Sequence, residues 1–334
     1  MTSIQLAEDR GDHVPLVRQP SLHHFEPHPI HRSERIWSET NCYVDLWIEV
    51  LHALGADPIP ATAFVFSAEF DGRQWDFVKF QPEDLRILYG IDVAEQNIWK
   101  PFAEQVAENL DDGIMSTVEV DGFYLPDTEG TSYRNEHTKT TIVPLVLDTA
   151  GERMEYFHNS GYYGLAGDDF RGALAIGRDD PTALPPYIER IRIDRDRLGR
   201  GATDGDIDLD VIRSHVRRGP SANPVAQLGE RIRKDVDWVR QAGPDQFHLW
   251  SFGTLRQCGA SAELAADLAA YLDARGVRGA AAAQESFRQV ATGAKSVQFK
   301  MARAARGRAV SVDDSLDSMA SAWAAGMAVI TSAV

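Results

Sequence analysis

Between positions 41 and 55 the chain reads Asn-Cys-Tyr-Val-Asp-Leu-Trp-Ile-Glu-Val-Leu-His-Ala-Leu-Gly, and Val44, Trp47, Ile48, Leu51 and Leu54 recur at spacings of about three and four. That spacing places them on one face of a helix. Asn41 is a fitting N-cap and Gly55 a fitting stop. Further along, apolar and polar positions alternate over 62–70 and 74–80 around Asp71-Gly72, which predicts a strand hairpin. A short helix is expected over 82–90, opened by proline and acids, and another over 97–112. Residues 114–125, 138–147 and 153–157 read as strands, and 188–193 as one more. From about Leu209 onward the pattern is helical, over 209–218, 222–241, 246–258, 260–275, 280–305 and 312–331. The fold class is therefore α+β, followed by a helical C-terminal part.

The first 35 residues carry no periodicity and five of the ten histidines: His13, His23, His24, His28 and His31. Prolines 20, 27 and 29 break any helix that would align them as metal ligands, so residues 1–30 read as an extended arm with solvated imidazoles. No metal site is expected.

The 334 residues suffice for one large domain or two ordinary ones. No apolar run approaches the roughly 20 residues of a membrane span, and the first residues lack the basic start and apolar core of a secretory signal. Two cysteines 216 positions apart make no disulfide framework. A cytoplasmic protein is expected, with no membrane partner. Charge is unevenly spread. Residues 1–180 hold 32 acidic and 13 basic side chains, a net of −19, whereas residues 181–334 hold 18 and 21, a net of +3. So acidic a first half excludes nucleic acid as its partner.

Cys42 opens the first helix, where the positive end of the macrodipole stabilises negative charge. His137 precedes a strand 95 residues later, and Asn159 ends the next short strand 22 residues after that. Cysteine catalysis needs a nucleophile, a base and a group that orients the base, and Cys42, His137 and Asn159 supply those types in order. His158 adjoins Asn159 and competes for the third place. Asn159 is preferred because an amide orients a base without competing for its proton. Read more plainly, Cys42 is a small buried hydrophobe. Cys258, at a predicted helix C-terminus, reads as structural.

Four segments (NCYVDLWIEVLHALG, QWDFVKF, VDGFYLPDTEGTSYRNEHTKTTI and YFHNSGYYGL) resemble an uncharacterised bacterial domain family whose genes often lie beside amino acid:carrier protein ligases. A more distant similarity is to the papain-like superfamily, through the N-terminal domain of butirosin biosynthesis protein H. Asp121, Tyr124, Leu125 and Pro126 match that domain's strand end, and Cys42, His137 and Asn159 its triad positions.

The resemblance implies a papain-like domain at 31–195, its nucleophile helix packed on an antiparallel sheet, then a helical domain at 196–334. It implies a cysteine-dependent acyltransferase that takes an acyl or aminoacyl group from a carrier-protein thioester to an amine or other acceptor. The only cofactor would be the phosphopantetheine carried by the partner. A thioesterase or amidase is the alternative, and a carrier-binding protein without catalysis a third. The partners would be the carrier protein, its amino acid ligase and a small-molecule acceptor.

Peptidases of the superfamily place a glutamine before the nucleophile as an oxyanion donor, and this chain has none at 35–41. Asn41 or the Cys42 N–H would serve instead. Asp121, Tyr124, His158 and Tyr162 are further substrate-site candidates. The basic stretch 295–308, with Lys295, Lys300, Arg303 and Arg306, is a candidate face for an acidic carrier protein.

Overall fold

A computed structural model describes residues 20–22, 24–177 and 186–334, which form a mixed α+β structure. Contacts gather them into two compact units that do not follow chain order. The first takes residues up to Phe25, Ala94–Tyr156 and Tyr162–Ile193; the second takes Glu26–Val93, Phe157–Gly161 and Asp194–Val334. The sequence places one boundary near residue 195, but the helix that Cys42 opens is counted with the C-terminal helices.

Six strands form one sheet, most of whose residues are counted with the first unit: β1 (Ile91–Glu95), β2 (Met115–Asp121), β3 (Lys139–Asp148), β4 (Arg153–His158), β5 (Gly161–Ala166) and β6 (Ile188–Ile193). Their order is β1-β6-β2-β3-β4-β5. β2 runs antiparallel to both neighbours, with Val118 opposite Ile142 on one side and Ile188 on the other. Alternate residues of a strand share a face. Val118 and Val120 thus join Ile142, Met154, Tyr156 and Leu165 in a core closed by Phe102 and Val106 of α3 (Phe102–Asp111) and Phe170 of α4 (Asp168–Ala173).

The expected hairpin over 62–80 does not form. Ile59–Phe66 is a 3-10 segment, and only a single bridge joins Phe70 to Trp75. Every residue from Pro60 to Phe66 is buried, so no period of two separates an inner from an outer face. Prolines 58 and 60 fix the backbone at its start.

The second unit is helical. Its elements are α1 (Cys42–Ala53), α2 (Pro82–Tyr89), α5 (Arg195–Arg200), α6 (Ile207–Arg218), α7 (Pro224–Ala242), α8 (Pro244–Ser251), α9 (Gln257–Ala274), α10 (Ala283–Ala304) and α11 (Asp313–Ala333). A π-helical turn, Phe252–Arg256, joins α8 to α9, so the break expected near residue 259 is absent. α9 packs on α10 and on the 3-10 segment, and α10 on α11. Small residues let neighbours approach α9 closely. The Trp37 indole lies on Gly259, where a Cβ would stand 2.3 Å from the ring, and Trp37 Nε1 donates to the Ala291 carbonyl at 3.0 Å.

The arm expected at 1–30 lies largely outside the described residues, His13 and His23 included. Its end is not solvated. Ile30 is buried, and the His31 ring lies between Asp45 and Glu49 of α1. Both carboxylates are buried, and burying them requires a cation at hand.

Candidate functional site

In the second unit the start of α1 is held by residues distant in sequence. Asn41 caps the helix, its Oδ1 accepting from the Tyr43 N–H at 3.1 Å and the Val44 N–H at 3.0 Å. Cys42 is the first helical residue, half-buried and free of any disulfide, and its own N–H takes no part in the cap. The Asn41 amide, an oxyanion candidate from sequence, donates instead to the Val78 carbonyl at 2.8 Å. Gln257 Oε1 accepts from the Val78 N–H at 3.0 Å, and Arg256 Nε donates to the Thr40 carbonyl at 3.0 Å. The turn entering α9 thereby fixes the segment that delivers Cys42. Sequence reasoning missed both residues, because more than 200 positions separate them from the helix they anchor.

Beneath the same helix, Asp45 accepts from the Thr40 N–H at 3.0 Å and pairs with His31, which also bonds Glu49. Burial alone would lower the His31 pKa, but hydrogen bonds to Asp45 and Glu49, with their charges, raise it to about 9. His31 is therefore a cation at neutral pH. His52 makes an edge contact with the His28 ring. Cys258 is fully buried inside α9, and burial pushes its thiol well above the ordinary value, as befits a structural cysteine.

The first unit holds the histidine. Asp121, at the end of β2, and His137, just before β3, approach because β2 and β3 pair with Asp121 opposite Lys139. His137 Nδ1 lies 2.6 Å from Asp121 Oδ2. Asp121 Oδ1 accepts from the Phe123 N–H at 3.1 Å, which fixes the carboxylate, and the Phe123 ring stacks on His137 with centroids 4.4 Å apart. An Asp that only accepts orients the imidazole and leaves Nε2 available. The loop between the two residues is tightly built. A Cβ on Gly122 would meet the Ser132 and Thr138 hydroxyls at 2.9 Å, and one on Gly172 would stand 2.1 Å from the Tyr124 ring. Arg134, at φ 53, sits among the Phe123, Tyr124 and Tyr133 rings and pairs with Asp169. His137, Asp121, Glu119, Lys139 and Tyr187 line a cleft of about 350 Å³.

Asn159 belongs to the second unit and forms the β4–β5 turn at φ 48, a conformation asparagine tolerates better than most residues. Turn geometry thus accounts for an amide there. His158 is buried, and the buried Tyr162 donates its hydroxyl to Glu155 at 3.0 Å. Of the basic docking candidates, Lys295 lies over the Trp37 ring at 3.8 Å and Lys300 donates to Ser315 at 2.8 Å, whereas Arg303 and Arg306 are exposed. Among the described residues no group of three or more His, Cys, Asp or Glu side chains is placed to hold a metal ion, and no helix is long and apolar enough to cross a membrane.

These features define a two-unit α+β protein with an anchored cysteine in one unit and a cleft-lining histidine–aspartate pair in the other. The DUF1839 N-terminal domain matches residues 26–193 and the DUF1839 C-terminal domain residues 202–332, so the chain belongs to the DUF1839 family. No curated protein matches the chain.

Proposed function

We propose that the protein is a cysteine-dependent acyltransferase related to papain-like enzymes. The observation that carries this reading is the half-buried thiol of Cys42 at the first position of a capped, 12-residue helix whose entry segment is anchored by Arg256 and Gln257. Cys42 Sγ attacks the carbonyl of a phosphopantetheine thioester on a carrier protein. A new S–C bond forms, the old one breaks, and the phosphopantetheine thiol departs. One thioester replaces another, so this step needs neither ATP nor metal. The thiol proton passes to a general base and returns to the leaving sulfur; the sequence assigns that role to His137, whose ring Asp121 holds. In the second half the acceptor amine loses its proton to the base as it attacks the acyl-cysteine. The N–C bond forms, and Cys42 is released as a thiol. Asp121 rather than Asn159 takes the orienting role, since its carboxylate is on the ring.

Mixing an acyl-loaded carrier protein with the enzyme and weighing the intact chain tests the reading. The expected result is an acyl adduct on Cys42 that an added amine discharges. Full transfer by a Cys42→Ala variant would overturn it. Release of free acid with no amine present would assign a hydrolase, and carrier binding without turnover a scaffold.

A further inference from the structure

The second unit contains a cluster the cysteine chemistry does not use. Ser67, which ends the 3-10 segment, places Oγ 2.7 Å from His215 Nδ1 on α6. His215 Nε2 lies 2.7 Å from Asp84 Oδ2 on α2. The three arrive from separate elements because α6 packs on both α2 and the 3-10 segment. A carboxylate can only accept, so Nε2 carries a ring proton, and the Ser67 hydroxyl lies between two acceptors, Nδ1 and the Phe64 carbonyl at 3.2 Å. The order hydroxyl, imidazole, carboxylate is that of a serine nucleophile with its base and orienter, and it is recognised by geometry rather than by sequence position. Only 1 % of the His215 side chain is exposed, whereas Ser67 is half-buried.

Two surrounding features go beyond a structural hydrogen-bond chain. Chain neighbours of Ser67 and His215, Phe66, Ala68, Val216 and Gly219, wall a cleft of about 250 Å³ of mixed lining, completed by Trp323, Met327, Ser221 and Asn223. Among the described residues the Ala68 N–H, immediately after the serine, has no partner, and Ala68 lines the cleft. A backbone donor next to the nucleophile is where acyl-transfer enzymes receive the oxyanion. Arg218 also reaches the ring, its Nη2 2.8 Å from Nδ1 and 2.7 Å from Nε2, where a guanidinium can only donate. Gly219 permits this proximity, because a Cβ there would stand 2.7 Å from the Phe66 carbonyl oxygen.

We infer that Ser67, His215 and Asp84 form a second acyl-handling centre, which hydrolyses esters or thioesters of short apolar acyl groups. Ser67 Oγ forms the bond to the acyl carbon while its proton passes to His215 Nδ1. The alcohol or thiol leaves with that proton. Water then attacks the acyl-serine, giving up a proton to His215, and the acid departs as Ser67 regains its hydrogen. Bonds and protons balance without any further reactant.

The centre is independent of Cys42, so the full chain carrying Cys42→Ala is the material for the test. Diisopropyl fluorophosphate is expected to add once, at Ser67 by peptide mapping, and p-nitrophenyl butyrate to be hydrolysed with saturation. Ser67→Ala should abolish the adduct and lower hydrolysis by about 1,000-fold. That variant removes one half-buried hydroxyl, and circular dichroism checks that it folds. An adduct elsewhere, no adduct on folded protein, or hydrolysis surviving Ser67→Ala would overturn the inference. None of these results depends on acyl transfer by Cys42, and loss of that transfer leaves them unchanged.

Discussion

Two histidine–aspartate pairs with almost the same separation sit in opposite surroundings. His137 and Asp121 meet at 2.6 Å with 67 % of the histidine side chain in solvent. His215 and Asp84 meet at 2.7 Å with 1 % exposed. Solvent screens the first pair, so it adds little to folding, while its free Nε2 remains open to a reactant. The second is locked between three elements, and whatever chemistry it performs must pass through Ser67. One motif therefore stands open to solvent in one unit and is enclosed behind Ser67 in the other. A third histidine, His31, extends the series. It is as buried as His215 but faces two carboxylates, and it is held as a cation.

The contrast is broken most directly at Asp84. Asp84→Ala leaves the buried His215 without its carboxylate, and loss of a buried partner costs about 3–5 kcal/mol. Urea unfolding should show that loss, and a loss below about 1 kcal/mol would mean that the buried pair is no more structural than the exposed one. His31 gives the next largest effect. Its folded pKa of about 9 stands above the ordinary 6.5. The linked stability is therefore fully present below about pH 6.5 and disappears as pH rises through 9. The shift corresponds to something on the order of 3 kcal/mol. Unfolding midpoints measured from pH 6 to 10 should fall across that window in the native chain, and His31→Gln should flatten the fall. An identical pH dependence in both proteins would remove His31 from the series.

Local signals in the sequence foretold local structure. The three-and-four spacing after Asn41 specifies α1, and the asparagine caps it as its type suggests. Alternation located β2, β3 and β4 to within a few residues, and the C-terminal helices lie near their expected spans. The stretch 62–70 misled because its apolar residues are buried on every side. Long-range pairings were not legible. Ser67, Asp84 and His215 sit in three unremarkable contexts, and only the packing of α6 on α2 and the 3-10 segment joins them. Asp121 was visible as a candidate, but its hydrogen bond to His137 follows from the β2–β3 register, which no local pattern states. His31 looked solvated because the prolines around it suggested an arm, and its partners lie a helix turn apart on α1.

The smallest effect on stability is expected at Asp121, and it sharpens the comparison most. Asp121→Asn keeps the shape of the side chain and removes its charge. Because His137 is largely in solvent, the exposed pair should contribute no more than about 1 kcal/mol, and the urea midpoint should move little. Catalysis should respond far more. Without the carboxylate, nothing fixes which ring nitrogen carries the proton, and general acid–base transfer through Nε2 loses its orientation. Transfer from an acyl-loaded carrier protein should slow by at least about 10-fold in kcat, with the carrier KM nearly unchanged. A large loss of stability with kcat preserved would be the reverse outcome. It would make His137–Asp121 a structural pair, and the proton-carrier role would have to move to another residue.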